Sequence, residues 1–314
     1  MTNIEIGDQS VKPGTNAFIE LFMARLPSGT EIKLPIHIFR SHQPGPTVLL
    51  SGGLHGDEVN GIEIVRRMVY AKHFQRLKAG TIIAIPIINI FGFLNFSRDV
   101  PDGKDVNRSF PGSPIGSLAS VVAHTISAQI LPHIDFGIDF HTGGASRTNY
   151  PQIRISDKDE KGKEVASIFK APFTLKSSLI SGSLRRCAYD LGKSVIVYEG
   201  GESLRFQELA IDEAIKGTFR VLQHYGMISS SPKVKKESIV LEDSKWIRAD
   251  MAGLFRPFKK SGQFVKENQV LGKITDVAGQ YEIEVEAPES GYLIGHNNNP
   301  VVNRGDALFH LGTT

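Results

Sequence analysis

From about Lys33 to Tyr225, short apolar runs alternate with amphipathic stretches. Residues 47–51 (TVLLS) are apolar and run into Gly52-Gly53, which predicts a buried strand entering a tight turn. Val59, Ile62, Val65 and Val69 follow at spacings of three and four, which predicts a helix with these four on its buried face. Residues 81–89 (TIIAIPIIN), 136–141 (FGIDFH) and 194–199 (SVIVYE) predict further buried strands. Helical periodicity marks 118–131, 159–169 and 206–225. Strands alternating with helices predict an α/β sheet with helices on both faces. Such sheets bind ligands beyond the carboxyl ends of their strands.

The pattern breaks twice. Residues 91–117 have no periodicity and are rich in Gly, Pro, Asp, Asn and Arg, the mark of a functional or disordered loop. At 229–236 (SSSPKVKK) small residues, a proline and lysines read as a linker, with Lys235 and Lys236 solvated like Lys259 and Lys260. Beyond it, alternating segments such as 281–286 (YEIEVE), punctuated by glycines from Gly253 to Gly305, predict a small all-β unit. The expected division is an α/β domain over 1–230, a linker over 231–237 and a β domain over 238–314.

Composition narrows the function. Of 314 residues, 40% are hydrophobic and 22% charged, which excludes wholesale disorder. Lys and Arg number 36 against 33 Asp and Glu, so the net charge of +3 leaves no footprint for bulk nucleic-acid binding. No apolar run reaches the length of a membrane span, and the start MTNIEIGDQSVKPG lacks the basic and apolar regions of a signal peptide. The one cysteine, Cys187, excludes an intrachain disulfide and a cysteine-built zinc site, and fits a reducing, cytoplasmic setting. A metal would fall to carboxylates and the 10 histidines.

Four places carry candidate chemistry. His55 and Glu58 sit three apart at a strand-to-helix junction, where both can reach one point above the strand end. That pair suits zinc, and it equally describes a solvated loop histidine beside a glutamate favoured by the helix dipole. His141, at the end of FGIDFH, reads as a turn histidine or as the third ligand of a His/Glu/His set with an open fourth position. Glu199, ending another apolar strand, reads as a general base toward water or as a solvated strand-end carboxylate. The long loop holds Arg98 and, after Asp105, the adjacent Asn107 and Arg108, which offer directed donors for a carboxylate, or Asx turns alone. His124 and His133 read as helix-surface or core residues, and Cys187 as a small buried hydrophobe.

GGLHGDE, DVNRSFPG, DFHTGG and VYEGG, in this order, together with Arg98, resemble the succinylglutamate desuccinylase/aspartoacylase family of the zinc carboxypeptidase-like superfamily. The resemblance spans about Thr47 to Gly201 and implies that superfamily's mixed sheet flanked by helices. It implies one Zn2+ held by His55, Glu58 and His141, with Glu199 as the catalytic glutamate. Arg98 would polarise the scissile carbonyl, and Asn107 with Arg108 would bind a substrate carboxylate. Asp105 would accept a hydrogen bond from the far nitrogen of His55. The family's further substrate-specific arginine has four candidates here: Arg147, Arg154, Arg185 and Arg186. The glycine pair after Glu199 departs from the context of this residue in the best-known members.

The tail, through FKKSGQFVKENQVLGKI and EAPESGYL, resembles the barrel-sandwich hybrid of biotinyl and lipoyl carriers. The hairpin that holds the carrier lysine reads Thr275-Asp276-Val277-Ala278-Gly279-Gln280 here, so the carrier role is lost. The unit is expected to pack near the catalytic mouth or to mediate oligomerisation. The resulting expectation is a cytoplasmic, zinc-dependent deacylase that cleaves the amide bond of a small N-acylated amino acid, with no nucleic-acid or membrane partner. Homo-oligomerisation stays open. The rivals are a zinc carboxypeptidase acting on peptides and a non-catalytic zinc- or ligand-binding protein.

Overall fold

The computed structural model describes residues 2–234 and 236–314. Its centre is four parallel strands, side by side in the order Thr81–Ile85, Thr47–Gly52, Phe136–Gly143 and Ser194–Glu202. Antiparallel neighbours flank them. Glu31–Arg40 and its hairpin partner Asn16–Arg25 lie on one side, and Arg147–Ile155 on the other. Alternate side chains of the central strands enter two cores. Leu49, Ile83 and Val195 meet the helix Leu118–Gln129 through Val122 and Ile126. Val48, Leu50, Ile138 and Ile196 meet Ile64 of Val59–Tyr70, Val165 of Glu160–Phe169 and Ile211 of Glu208–His224. The expected α/β sheet with helices on both faces is thus the observed one, because strands buried on both faces are apolar throughout.

The differences from the sequence reading have local causes. The buried stripe of Val59–Tyr70 is Asn60, Gly61, Ile64, Val65 and Met68, so of the four residues expected inside only Val65 is fully buried. Gly61 turns the helix this way. A Cβ there would stand 2.2 Å from the Phe140 carbonyl oxygen, and one on Gly52 would stand 2.4 Å from the Gly61 oxygen. Helix and sheet therefore meet backbone to backbone, and the glycine side faces in. The apolar run 81–89 stops being a strand at Ile85, since Pro86 has no N–H for the ladder. Asn89 then caps a short helix, Ile90–Leu94, accepting from the Gly92 N–H at 2.8 Å. The loop 91–117 is accordingly not structureless, and it holds a second helical turn at Val106–Arg108. The hairpin Asn16–Arg25/Glu31–Arg40 and the strands Arg147–Ile155 and Phe173–Lys176 lacked a distinct apolar run.

The C-terminal region is strand-rich, and the main sheet runs into it. Gly291–Asn297 pairs antiparallel with Arg147–Ile155, and Ile239–Leu241 lies parallel to Phe173–Lys176. A separate four-stranded sheet of Glu282–Glu286, Val270–Thr275, Gly253–Pro257 and Val301–Val302 shares a core built on Phe255, Ile274, Leu293 and Phe309. In the turn between its first two strands, the Asp276 carboxylate accepts from the Gln280 and Tyr281 amides at 2.7 and 3.1 Å. Lys236 and Lys260 are exposed, and Lys235 lies outside the described residues. Cys187 is buried, its sulfur 3.6 Å from the Ser127 hydroxyl, and burial pushes its thiol up. Among the described residues no helix is long and apolar enough to cross a membrane.

The Gly61 contact yields a signed prediction. In an exposed helix, Gly→Ala stabilises by about 1 kcal/mol. Gly61→Ala instead inserts a methyl into a filled backbone contact, so the unfolding free energy should fall by about 1–3 kcal/mol. Urea denaturation reads the sign, and a gain in stability would refute the close-contact account.

Candidate metal centre and active site

Three parallel strands deliver the chemistry at their carboxyl ends. His55 follows Thr47–Gly52, Glu58 occupies the N-cap of Val59–Tyr70, and His141 and Glu199 lie near the ends of their own strands. His55, Glu58 and His141 are 3%, 2% and 3% exposed, which removes the solvated-loop reading. Their ligand atoms all lie within 4.8 Å of one another. Glu58 Oε1 is 2.7 Å from His55 Nδ1, Glu58 Oε2 is 2.8 Å from His141 Nδ1, and the two Nδ1 atoms are 3.2 Å apart. The Thr142 amide donates to Glu58 Oε2 at 3.0 Å and fixes the carboxylate plane.

Burial at this cluster opposes charge, and the partners decide the outcome. Burial pushes Glu58 up, but the two imidazoles hold it well below the carboxylate range. Burial pushes His141 down, but Asp139 and Glu58 raise it well above an ordinary histidine. His55 is raised by Glu58 and Asp105 against the same burial. Two imidazole nitrogens and one carboxylate converging on one point, with no fourth such group among the described residues, form a set that could hold a divalent metal such as zinc.

Each histidine has a carboxylate behind it. His141 Nε2 lies 2.6 Å from Asp139 Oδ2, and Asp139 Oδ1 accepts from the Ser51 hydroxyl at 2.7 Å. His55 Nε2 faces Asp105 Oδ1 at 3.4 Å and has no hydrogen-bond partner among the described residues, so the expected bond is aimed but loose. Asp105 is shared with Arg98, whose Nε and Nη2 donate to Oδ2 at 3.1 and 2.8 Å. Burial pushes Asp105 up, while His55 and Arg98 pull it far below its ordinary value. Asp139 was not among the sequence candidates, although its signal is visible. It precedes His141 by two residues in one strand, and residues two apart share a face.

One cavity of about 250 Å3 gathers the remaining candidates. His55, Glu58, His141, Arg98, Asn107, Arg108 and Glu199 all line it, while Asp105 stands behind the wall. Glu199 pairs in register with His141 on the adjacent parallel strand. Its Oε2 accepts from Asn149 Nδ2 at 2.9 Å, and Arg154 Nη1 is 3.6 Å from its Oε1. Arg98 Nη1 reaches to 3.2 Å from His55 Nδ1. Asn107 Oδ1 accepts from the Leu184 amide at 2.9 Å, and Arg108 is exposed at the rim. Of the four further arginines, Arg147, Arg154 and Arg185 line the cavity, whereas Arg186 pairs with Asp190 on its own exposed helix face. Asn149 and Trp246 also line the cavity, and no local motif announced either.

The fold has counterparts among solved structures. The product-bound structure of the ectoine utilization protein EutE (DoeB) from Ruegeria pomeroyi superposes with a TM-score of 0.85, at 23% identity over 96% of this chain and 95% of that one. A succinylglutamate desuccinylase/aspartoacylase structure from Rhodobacter sphaeroides gives 0.84, at 25% identity over 95% and 94%. The family follows from the sequence. Residues 44–225 match the model of the succinylglutamate desuccinylase/aspartoacylase catalytic domain, and the chain belongs to this family. An N-alpha-acetyl-L-2,4-diaminobutyric acid deacetylase from Halomonas elongata is 28% identical over 297 residues, covering 88% of this chain and 84% of that protein.

Asp139 supplies the test of this centre. Asp139→Asn keeps the shape and removes the charge that orients His141. Affinity for Zn2+ should drop roughly 10- to 100-fold, as for other partners of metal-binding histidines. Competition with a chromogenic chelator measures it, and unchanged affinity would separate Asp139 from the centre.

Proposed function

We propose that the protein is a zinc-dependent deacylase that hydrolyses the amide bond of a small N-acylated amino acid. Its relatives are amide-bond deacylases, so the broad class is an amidohydrolase. One observation carries the reading. Glu199 stands in register beside His141 and opens on the same cavity as the His55/Glu58/His141 cluster. A protein that only bound metal would have no use for that carboxylate. The cavity, at about 250 Å3, supports a small substrate over a peptide. The Halomonas elongata relative, named for a small N-acetylated amino acid, supports the same class.

Zinc held by His55, Glu58 and His141 would supply Lewis acidity toward a carbonyl oxygen and a water. The chain's own groups do the rest. Glu199 takes a proton from the attacking water and returns it to the leaving amine. Asn149 holds one oxygen of Glu199 and so sets the direction of the other. Arg98, braced on Asp105, presents Nη1 to the carbonyl oxygen as negative charge develops there. Asn107 Oδ1 is tied to the Leu184 amide, which leaves Nδ2 to donate, with Arg108, to the substrate's carboxylate. That hold decides which bond lies at the metal. The single cysteine supports a cytoplasmic setting.

Two variants test the roles. Glu199→Gln should retain zinc while turnover falls roughly 100-fold or more. Turnover near that of the wild type would assign the proton to another group. Arg108→Ala should lose about 1.5–3 kcal/mol, roughly 10- to 150-fold, on a carboxylate substrate and little on its amide. The readout is the acid-to-amide ratio of kcat/KM, and an unchanged ratio would detach Arg108 from the carboxylate.

A further inference from the structure

A second cavity, of about 360 Å3, opens where the α/β part meets the C-terminal strands. That volume lies in the roughly 300–1,000 Å3 range of small-molecule sites. Two opposite charges line it and do not meet. Glu202 is 9% exposed, yet its carboxylate accepts no hydrogen bond among the described residues. Its cationic contact among them is Arg205 Nε at 3.6 Å, on a side chain that is 72% exposed. A carboxylate this sheltered is normally paired. From the C-terminal side comes Lys260, exposed, whose ammonium forms no ion pair among the described residues. The wall beside Lys260 is built of donors. His296, 7% exposed, is held by Ser261, whose amide and hydroxyl lie 3.1 and 3.0 Å from its Nδ1. The amide must donate, so the ring proton is on Nε2. Burial, with Lys260 nearby, lowers His296 to about 4, so the ring is neutral at neutral pH and the positive charge of this wall is that of Lys260. Thr148 pairs in register with His296, and its hydroxyl accepts from Asn298 Nδ2 at 2.8 Å, which leaves its own proton to donate.

A small molecule that carries both charges matches these walls. Its ammonium would meet Glu202, and its carboxylate would meet Lys260 and the Thr148 hydroxyl, in charge-assisted hydrogen bonds. A lone cation would leave Lys260 unanswered, and a lone anion would leave Glu202 so. Tyr150, Pro151, Leu209 and Ala210 line the remainder and suit an aliphatic side chain. We propose that this cavity binds a free α-amino acid as its zwitterion, at a site separate from the metal cluster. The assignment stands on the cavity alone and holds whatever reaction the metal cluster performs. Under the deacylase reading, the ligand belongs to the chemical class of the amine product. The two cavities share a wall. Asn149 lines both, and its Nδ2 donates to Glu199, so the second site adjoins the residue that directs the base.

Isothermal titration calorimetry on the full-length zinc-loaded protein tests this with probes of one shape. L-leucine carries both charges, 4-methylpentanoate only the carboxylate and 3-methylbutylamine only the ammonium. The metal cavity can also take a carboxylate, so Arg108→Ala is the background for every titration. Leucine should bind saturably, and each single-charge probe about 10-fold or more weakly. Glu202→Gln keeps the shape and removes the charge, and should weaken leucine by about 10-fold or more. Lys260→Gln changes an exposed position, where folding is little affected, and should weaken it roughly 2- to 5-fold. Hydrogen–deuterium exchange with leucine at saturation then locates the ligand. Protection should rise over residues 207–210 and 260–263. Four results overturn the proposal: no saturable leucine binding, a single-charge probe that binds as tightly as leucine, an affinity that survives either substitution, or protection confined to residues 54–58 and 141–144. The last would place leucine in the metal cavity. No measurement here reads hydrolysis, so failure of this proposal and failure of the deacylase reading are told apart.

Discussion

Glu58 lies between two imidazoles in a space that water hardly reaches, and the surrounding structure is arranged around that contact. An ionised carboxylate is costly to bury unless charge and hydrogen bonds meet it on every side. Here they do. The imidazoles face it, and the Thr142 amide fixes it. Behind the histidines stand Asp139, steadied by Ser51, and Asp105, steadied by Arg98. Charge thus alternates outward from the centre, and each layer satisfies the one within. A divalent cation fits this order, since it would meet the three convergent lone-pair donors that the inner layer presents.

Such a layered arrangement demands close backbones. His55 and Glu58 come from one strand-to-helix junction and His141 from the adjacent strand, and the helix pressed onto the sheet places Glu58 over the strand ends. Gly52 and Gly61 permit that approach, and the helix rotates to place its glycine inward. Asn60, fully buried one residue earlier, ties the helix to the far side of the site. Its Nδ2 donates to the Glu202 carbonyl at 3.2 Å, and its Oδ1 accepts from the Gln207 amide at 2.9 Å. The segment after Glu199 is thereby locked to the helix that carries Glu58. The His55/Glu58/His141 cluster and Glu199 thereby share one frame.

The cavity wall is completed by chain far from the motifs. Arg147–Ile155 runs antiparallel to the Glu199 strand and supplies Asn149 to its carboxylate. The same strand pairs with Gly291–Asn297, so the main sheet and the C-terminal strands are one hydrogen-bonded surface. Trp246 reaches the cavity from that surface. The C-terminal strands therefore contribute to the cavity wall.

Much of this was legible in the residues alone. Apolar runs marked the four central strands, because a strand buried on both faces must be apolar throughout. The ligand candidates were legible because each lies at or just beyond the end of such a run, and strand ends are where this architecture opens. Asn107 and Arg108, singled out by their donors, line the cavity. Asn149, Trp246 and the rotation of Val59–Tyr70 were not legible, since each depends on a partner remote in sequence: Glu199, Arg147 and the Phe140 carbonyl. Asp139 lay between these cases, visible as the same-face neighbour of His141 yet defined only once Ser51 was seen against it. Patterns within a few residues report local burial and local ligand spacing. The partner of a buried charge, and the groups across a cavity, are set by long-range packing that only the folded chain specifies.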